Sequence, residues 1–110
     1  MAIELQSRGH SLGEANLHLQ FTPVYRRDIF ADRVVRDVTT YYLMEKARRM
    51  RIIIAAIDYG SDHVHLFVTN WKNHSIKEIA CQLKSYTSYI MRQHFGYLII
   101  GKLWGHKYWS

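Results

Sequence analysis

His63 and His65 flank a single valine in the run Asp62-His63-Val64-His65-Leu66-Phe67-Val68. In an extended chain alternate side chains share a face, so the two imidazoles stand together while Val64, Leu66 and Val68 point the other way. Two neutral imidazoles on a rigid strand can hold a divalent metal ion. Fifteen Lys and Arg against nine Asp and Glu give a net charge of +6 and a pI near 9.6. That balance favours a polyanionic partner, so phosphate is the group on which such an ion would act.

Spacing alone is a weak signal. Seven histidines in 110 residues make one His-x-His pair close to a chance event, and a polar pair on the wet face of a half-buried strand is the plainer reading. Three features add weight: the opposite face of the strand is strictly apolar, the strand is central in the sheet proposed below, and Asp62 precedes the pair in a turn. A metal needs at least one further donor. In a regular strand Asp62 would face away from the pair, whereas His18 alternates onto the matching face of the first strand. Asp58 is the other nearby carboxylate.

Basic residues cluster in three places: Arg26 and Arg27; Arg48, Arg49 and Arg51; and Lys77, Lys84 and Arg92. As a set they suit a surface that tracks phosphates, although Arg48 and Arg49 also complement a helix carboxyl terminus. Trp71, Tyr97, Trp104, Tyr108 and Trp109 could stack bases, but packing is the commoner use of any one of them. Cys81 is the only cysteine, which excludes an intrachain disulfide and fits a reducing cytoplasm. It falls within a helical pattern and reads as a buried, inert thiol.

The elements that position these groups follow from periodicity. Residues 16 to 24 alternate, with Leu17, Leu19 and Phe21 on one face, and predict a strand. Residues 31 to 50 carry a helical stripe of Val34, Val35, Val38, Tyr42 and Ala47. Residues 51 to 59, rich in isoleucine and alanine, predict a well-buried second strand. Gly60 and Ser61 make a turn into a third, antiparallel strand over 62 to 70. Ser75 and Glu78 form a capping box that opens a second helix, with Ile76, Ile79, Ala80, Leu83, Thr87, Ile90 and Met91 at helical spacing, closed near Gly96. Residues 102 to 109 supply a short fourth strand.

The order strand, helix, strand, strand, helix, strand predicts an α+β, ferredoxin-like β-α-β-β-α-β fold: an antiparallel sheet with both helices on one face. The whole chain, 1–110, reads as a single domain. No apolar stretch approaches the length of a membrane span, and no signal-peptide core opens the sequence.

Several segments, taken in order, resemble one family, the single-tyrosine HUH transposases of the small insertion-sequence (TnpA) type. Asp62-His63-Val64-His65-Leu66 resembles its His-hydrophobe-His signature. Pro23-Val24-Tyr25-Arg26-Arg27 is similar to its Pro-Lys-Tyr-Arg-Arg segment, with Val24 in place of the lysine. Leu83-Lys84-Ser85-Tyr86-Thr87-Ser88 is similar to its second helix. Lys102-Leu103-Trp104-Gly105-His106-Lys107-Tyr108-Trp109 resembles its Lys-Leu-Trp-x-x-x-Tyr-Trp stretch. The matches span residues 16 to 110.

The resemblance implies a DNA strand transferase. His63 and His65 would bind a divalent ion, Mg2+ or Mn2+, and a tyrosine would attack the scissile phosphate of single-stranded DNA to form a 5′-phosphotyrosine link. It also implies recognition of hairpin ends, a homodimer and a cytoplasmic setting, with Arg26, Arg27, Arg48, Arg49, Arg51 and Lys84 as DNA contacts. In the family the nucleophilic tyrosine and a further metal ligand lie on a helix after the Tyr-Trp stretch, beyond Ser110. None of the eight tyrosines here matches that position, so the expectation is that the chain as written does not complete strand transfer.

Two other readings stay open on residues alone. One is a non-catalytic, RRM-type nucleic-acid-binding module, which shares the sheet plan but wants aromatics where His63 and His65 stand. The other is a metal-dependent nuclease or a non-DNA ferredoxin-like enzyme, which needs carboxylates converging on the histidines.

Overall fold

The computed structural model describes residues 16–97, 99 and 101–106. Strand β1 (Leu17–Phe21) buries Leu17, Leu19 and Phe21 and turns His18 and Gln20 outward, as its alternation requires. Two 3-10 turns follow, Val24–Arg26 and Ile29–Ala31. Helix α1 (Arg33–Met50) is capped by Asp32, whose carboxylate accepts from the backbone N–H of Val34 at 2.8 Å and of Val35 at 3.4 Å. It ends at Arg51 in the left-handed region. Strands β2 (Ile53–Gly60) and β3 (His63–Thr69) form a hairpin whose loop is Ser61 and Asp62, one residue later than the sequence predicts. Ser75 caps helix α2 (Ile76–His94) by accepting from the N–H of Glu78 at 3.0 Å. The carboxylate of Glu78 lies 3.4 Å from His74 Nδ1.

The strands lie in the order β1-β3-β2, all antiparallel, which puts β3 at the centre. Val64, Leu66 and Val68 are fully buried and join Leu43 and Ala47 of α1 and Ile79, Leu83 and Met91 of α2 in one core. The α+β fold expected from the sequence is the fold observed. The expected fourth strand is represented by one antiparallel bridge, Pro23 to Trp104, flanked by Val24 N–H to Leu103 O at 2.8 Å and Gly105 N–H to Thr22 O at 2.7 Å. The remainder of that expected strand, with Tyr108 and Trp109, lies outside the described residues.

Several packing expectations are corrected. The buried stripe of α1 is Val35, Thr39, Leu43 and Ala47, whereas Val34 is 60% exposed. Thr39 enters the core because its hydroxyl donates to Val35 O at 2.6 Å. Strand β2 is an edge among the described strands, and Ile53 is exposed. On α2, Ile76 is exposed, and so is Cys81, which is therefore not a buried thiol.

Candidate metal centre and its cationic surroundings

The alternation of β3 places His63 and His65 on the face away from the helices, with ring centroids 4.8 Å apart and planes at 84°. Each ring has its Nδ1 engaged. His63 Nδ1 lies 2.9 Å from Asp62 Oδ1, and His65 Nδ1 lies 2.8 Å from His18 Nε2. A carboxylate only accepts, so His63 carries its proton on Nδ1 and keeps the Nε2 lone pair. For His65 the same tautomer follows when its Nδ1–H donates to His18. Both rings then offer Nε2, the arrangement in which a partner behind the imidazole fixes its orientation and basicity. His18 is itself held by stacking on Phe67, 4.7 Å between centroids and 13° between planes.

Asp62 does not face away from the pair. It sits in the loop before the first residue of β3, where strand alternation does not apply. Arg26 donates to the same carboxylate through Nε at 3.1 Å and Nη2 at 3.0 Å. The hydrogen bond with His63, then that with Arg26, holds the Asp62 carboxyl below the usual carboxylate range.

Gly60 faces His63 across the hairpin. A Cβ at Gly60 would stand 2.2 Å from His63 Cε1 and 2.8 Å from its Nδ1, so the missing side chain is the space the ring fills. Burial, then the neighbouring His18 and His63, pushes the His65 pKa below the usual imidazole value; Asp58, directly across on β2, opposes them. A neutral ring is the form that ligates metal.

The donor set fits a divalent ion in part. Two imidazoles suit such an ion, but among the described residues no group of three or more His, Cys, Asp or Glu is placed to hold a metal. Remaining donors would be water, phosphate oxygens or groups elsewhere.

The cations singled out in the sequence fall in separate places. Arg26 is tied to the histidines through Asp62. Arg27 donates to Val24 O at 3.2 Å and Lys102 O at 3.1 Å, stitching the first 3-10 turn to the segment after α2. Lys84 donates to Gly105 O, and burial, with the nearby Lys102 charge, pulls its pKa down. Arg48 and Arg49 pair with Glu45, and Arg51 is the C-cap of α1. Because Ile53 pairs with Thr69 and Gly60 with His63, these last three lie at the other end of the sheet, about 20 Å along β3 from the histidines. Of the aromatics proposed to stack, Trp104 is buried, Trp71 packs against the core and Tyr97 is 77% exposed. Tyr25, in the segment resembling Pro-Lys-Tyr-Arg-Arg, is the most exposed large hydrophobic side chain among the described residues.

The described residues thus form an antiparallel α+β sheet with paired imidazoles on the open face of its central strand and Arg26 beside them. Comparison with known proteins gives the family. The chain belongs to the IS200-like transposases, since the model described as transposase IS200 like matches residues 11–110. It is also similar to the crystal structure of a chain from Deinococcus radiodurans R1 assigned as a transposase, with a TM-score of 0.79 and 25% identity, over 88% of this chain and 77% of that one. None of the curated proteins compared with it matches. By family, this is an enzyme of the DNA strand-transferase kind, with DNA as its partner. No helix among the described residues is long and apolar enough to cross a membrane.

Proposed function

We propose that the chain is the metal- and DNA-binding body of an HUH transposase that cleaves and rejoins single-stranded DNA through a 5′-phosphotyrosine intermediate, recognises hairpin ends and acts as a homodimer. The observation that carries this reading is the pair His63 and His65 on one face of β3, each with its Nδ1 engaged by a neighbour. His63 and His65 would hold Mg2+ or Mn2+ through Nε2. When bound, the ion supplies charge stabilisation at the non-bridging oxygens of the scissile phosphate. Asp62 retains the Nδ1 proton of His63, and Arg26 holds Asp62 in place. Arg26, tied to the pair through Asp62, and Arg27, next to it in the chain, would meet DNA, as would Lys84 beside the segment after α2 and Arg48, Arg49 and Arg51 at the distant end of the sheet. The resemblance places the nucleophilic tyrosine on a helix that follows the Tyr-Trp stretch.

The RRM-type reading is less well supported. Phe67, the aromatic side chain at the His63–His65 face of β3, is 8% exposed and stacked on His18, so it offers no open platform for bases. The test is a binding titration of a labelled single strand carrying a hairpin, with and without Mn2+. The transposase reading predicts tighter binding with Mn2+, an effect abolished by the double substitution His63→Ala, His65→Ala. Equal binding in all arms supports the module instead.

A further inference from the structure

The 3-10 turn after β1 contains two successive non-glycine residues in the left-handed region, Tyr25 at φ 63 and Arg26 at φ 52. That conformation is unfavourable for L residues and persists only where the surroundings impose it. Here they do so from both sides. Arg26 N–H donates to Pro23 O at 2.9 Å, the Arg27 side chain reaches Val24 O and Lys102 O, and the Arg26 guanidinium is anchored on Asp62. The conformation gains no packing for Tyr25, whose side chain is left 91% exposed.

What it does is set the phenol ring at the edge of a groove of about 800 Å³, lined among others by Gln20, Thr22, Arg26, Lys102 and His106. The volume is in the range of about 300–1,000 Å³ typical of small-ligand sites. Gln20 is the direct cross-strand partner of His65, so the groove begins beside the histidine pair. Its lining combines an aromatic ring, an amide able both to donate and to accept, and the cations Arg26 and Lys102. Those are the groups that hold a single nucleotide: stacking for the base, an amide for its edge, cations for its phosphates. A paired base has both faces covered by its neighbours in the duplex, so the occupant must be unpaired.

We propose that this groove binds one unpaired nucleobase of single-stranded DNA, stacked on Tyr25, next to the phosphate at the histidine pair. The site rests on the proposed single-strand function and adds to it a residue that fixes which nucleotide lies beside the metal centre. Arg26 links the two, since it lines the groove and grips the carboxylate that orients His63.

The experiment uses single strands with 2-aminopurine, or an abasic residue, at successive positions, bound to the full chain in Mn2+. One position is expected to be quenched by the wild type and by Tyr25→Phe, and not by Tyr25→Asn, which keeps a residue tolerant of positive φ but removes the ring. An abasic residue there should weaken wild-type binding about 5- to 150-fold and leave Tyr25→Asn binding unchanged. Undiminished quenching and affinity in Tyr25→Asn would overturn the site while leaving the metal-dependent binding of the wild type intact. Absence of Mn2+-dependent binding by the wild type would instead overturn the underlying function, and the site with it.

Discussion

The imidazole of His63 lies over the bare α-carbon of Gly60, its Cε1 2.2 Å from where a Cβ would stand. The hairpin thus does more than connect two strands: it leaves an opening that sets one ring of the pair, while Asp62 in its loop holds the same ring through Nδ1.

Gly60→Ala should therefore separate metal binding from stability. The Gly60 backbone is not left-handed, so alanine is allowed and reduces unfolded-state entropy, a gain of about 0.4–1 kcal/mol when nothing clashes. The three atoms nearest to that Cβ all belong to the movable His63 ring. The expected result is a Tm close to wild type with Mn2+ affinity reduced about 10- to 100-fold. Calorimetric titration and a melting curve on the same sample check both halves; unchanged affinity contradicts the role given to Gly60.

Asp62→Ala and Arg26→Ala should differ in size. Removing Asp62 frees the Nδ1 side of His63, and Mn2+ affinity is expected to fall about 10- to 100-fold. Arg26 is 73% exposed, and exposed ion pairs contribute about 1 kcal/mol or less. Arg26→Ala should accordingly leave stability within about 1 kcal/mol and reduce metal affinity less than Asp62→Ala. Equal losses in the two variants would show that the carboxylate orients His63 only when Arg26 holds it.

Tyr59 gives the fold an alkaline limit. Its hydroxyl donates to Arg36 O at 3.2 Å and lies 2.9 Å from Thr40 Oγ1, joining β2 to α1. Burial, partly offset by the Thr40 hydrogen bond, pushes the phenol from 10.0 up to about 12. A raised folded pKa means the contribution is complete below pH 10 and is lost as pH rises from 10 to about 12. Urea unfolding across that window should show a decline on the order of 2–3 kcal/mol. In Tyr59→Phe that component should be absent, at a cost near neutral pH of about 0.5–1.5 kcal/mol.

Trp104 holds the segment after α2 against the sheet. It is 2% exposed, packs on Phe21 and Phe30, and donates Nε1–H to Thr87 Oγ1 at 2.9 Å. Trp104→Ala should destabilise by about 3–5 kcal/mol. Trp104→Phe, which keeps a ring but not the donor, should cost less. Denaturant midpoints at constant slope measure both; a loss under 1 kcal/mol in the alanine variant would mean that the segment is anchored elsewhere.

The sheet was legible because period two is unambiguous: Val64, Leu66 and Val68 are buried and His63 and His65 share the other face. Helix α1 was harder, since its buried Thr39 is polar by type and Val34 apolar, and only the hydroxyl's bond to Val35 O makes the exchange intelligible. An apolar run such as residues 53–57 does not say whether its strand is central or at an edge. At the site, the shared face of His18 was visible in the alternation, but its contact with His65 depends on register, which pairs His18 with Phe67. The turn falls one residue later than the sequence suggests: Gly60 ends β2 opposite His63, and Asp62 lies in the loop, where side-chain direction follows from the loop and not from a repeat. Nothing in the residue type of Tyr25 announces its left-handed φ.

The central claim is that His63 and His65 together hold a divalent ion. Mn2+ bound to the full chain, counted by the loss of its free electron-paramagnetic-resonance signal, tests this most directly. The wild type should bind one ion, and the His63→Ala, His65→Ala variant, with its melting curve confirming the fold, should bind none. Equal binding by the folded variant, or no binding by the wild type, contradicts the account.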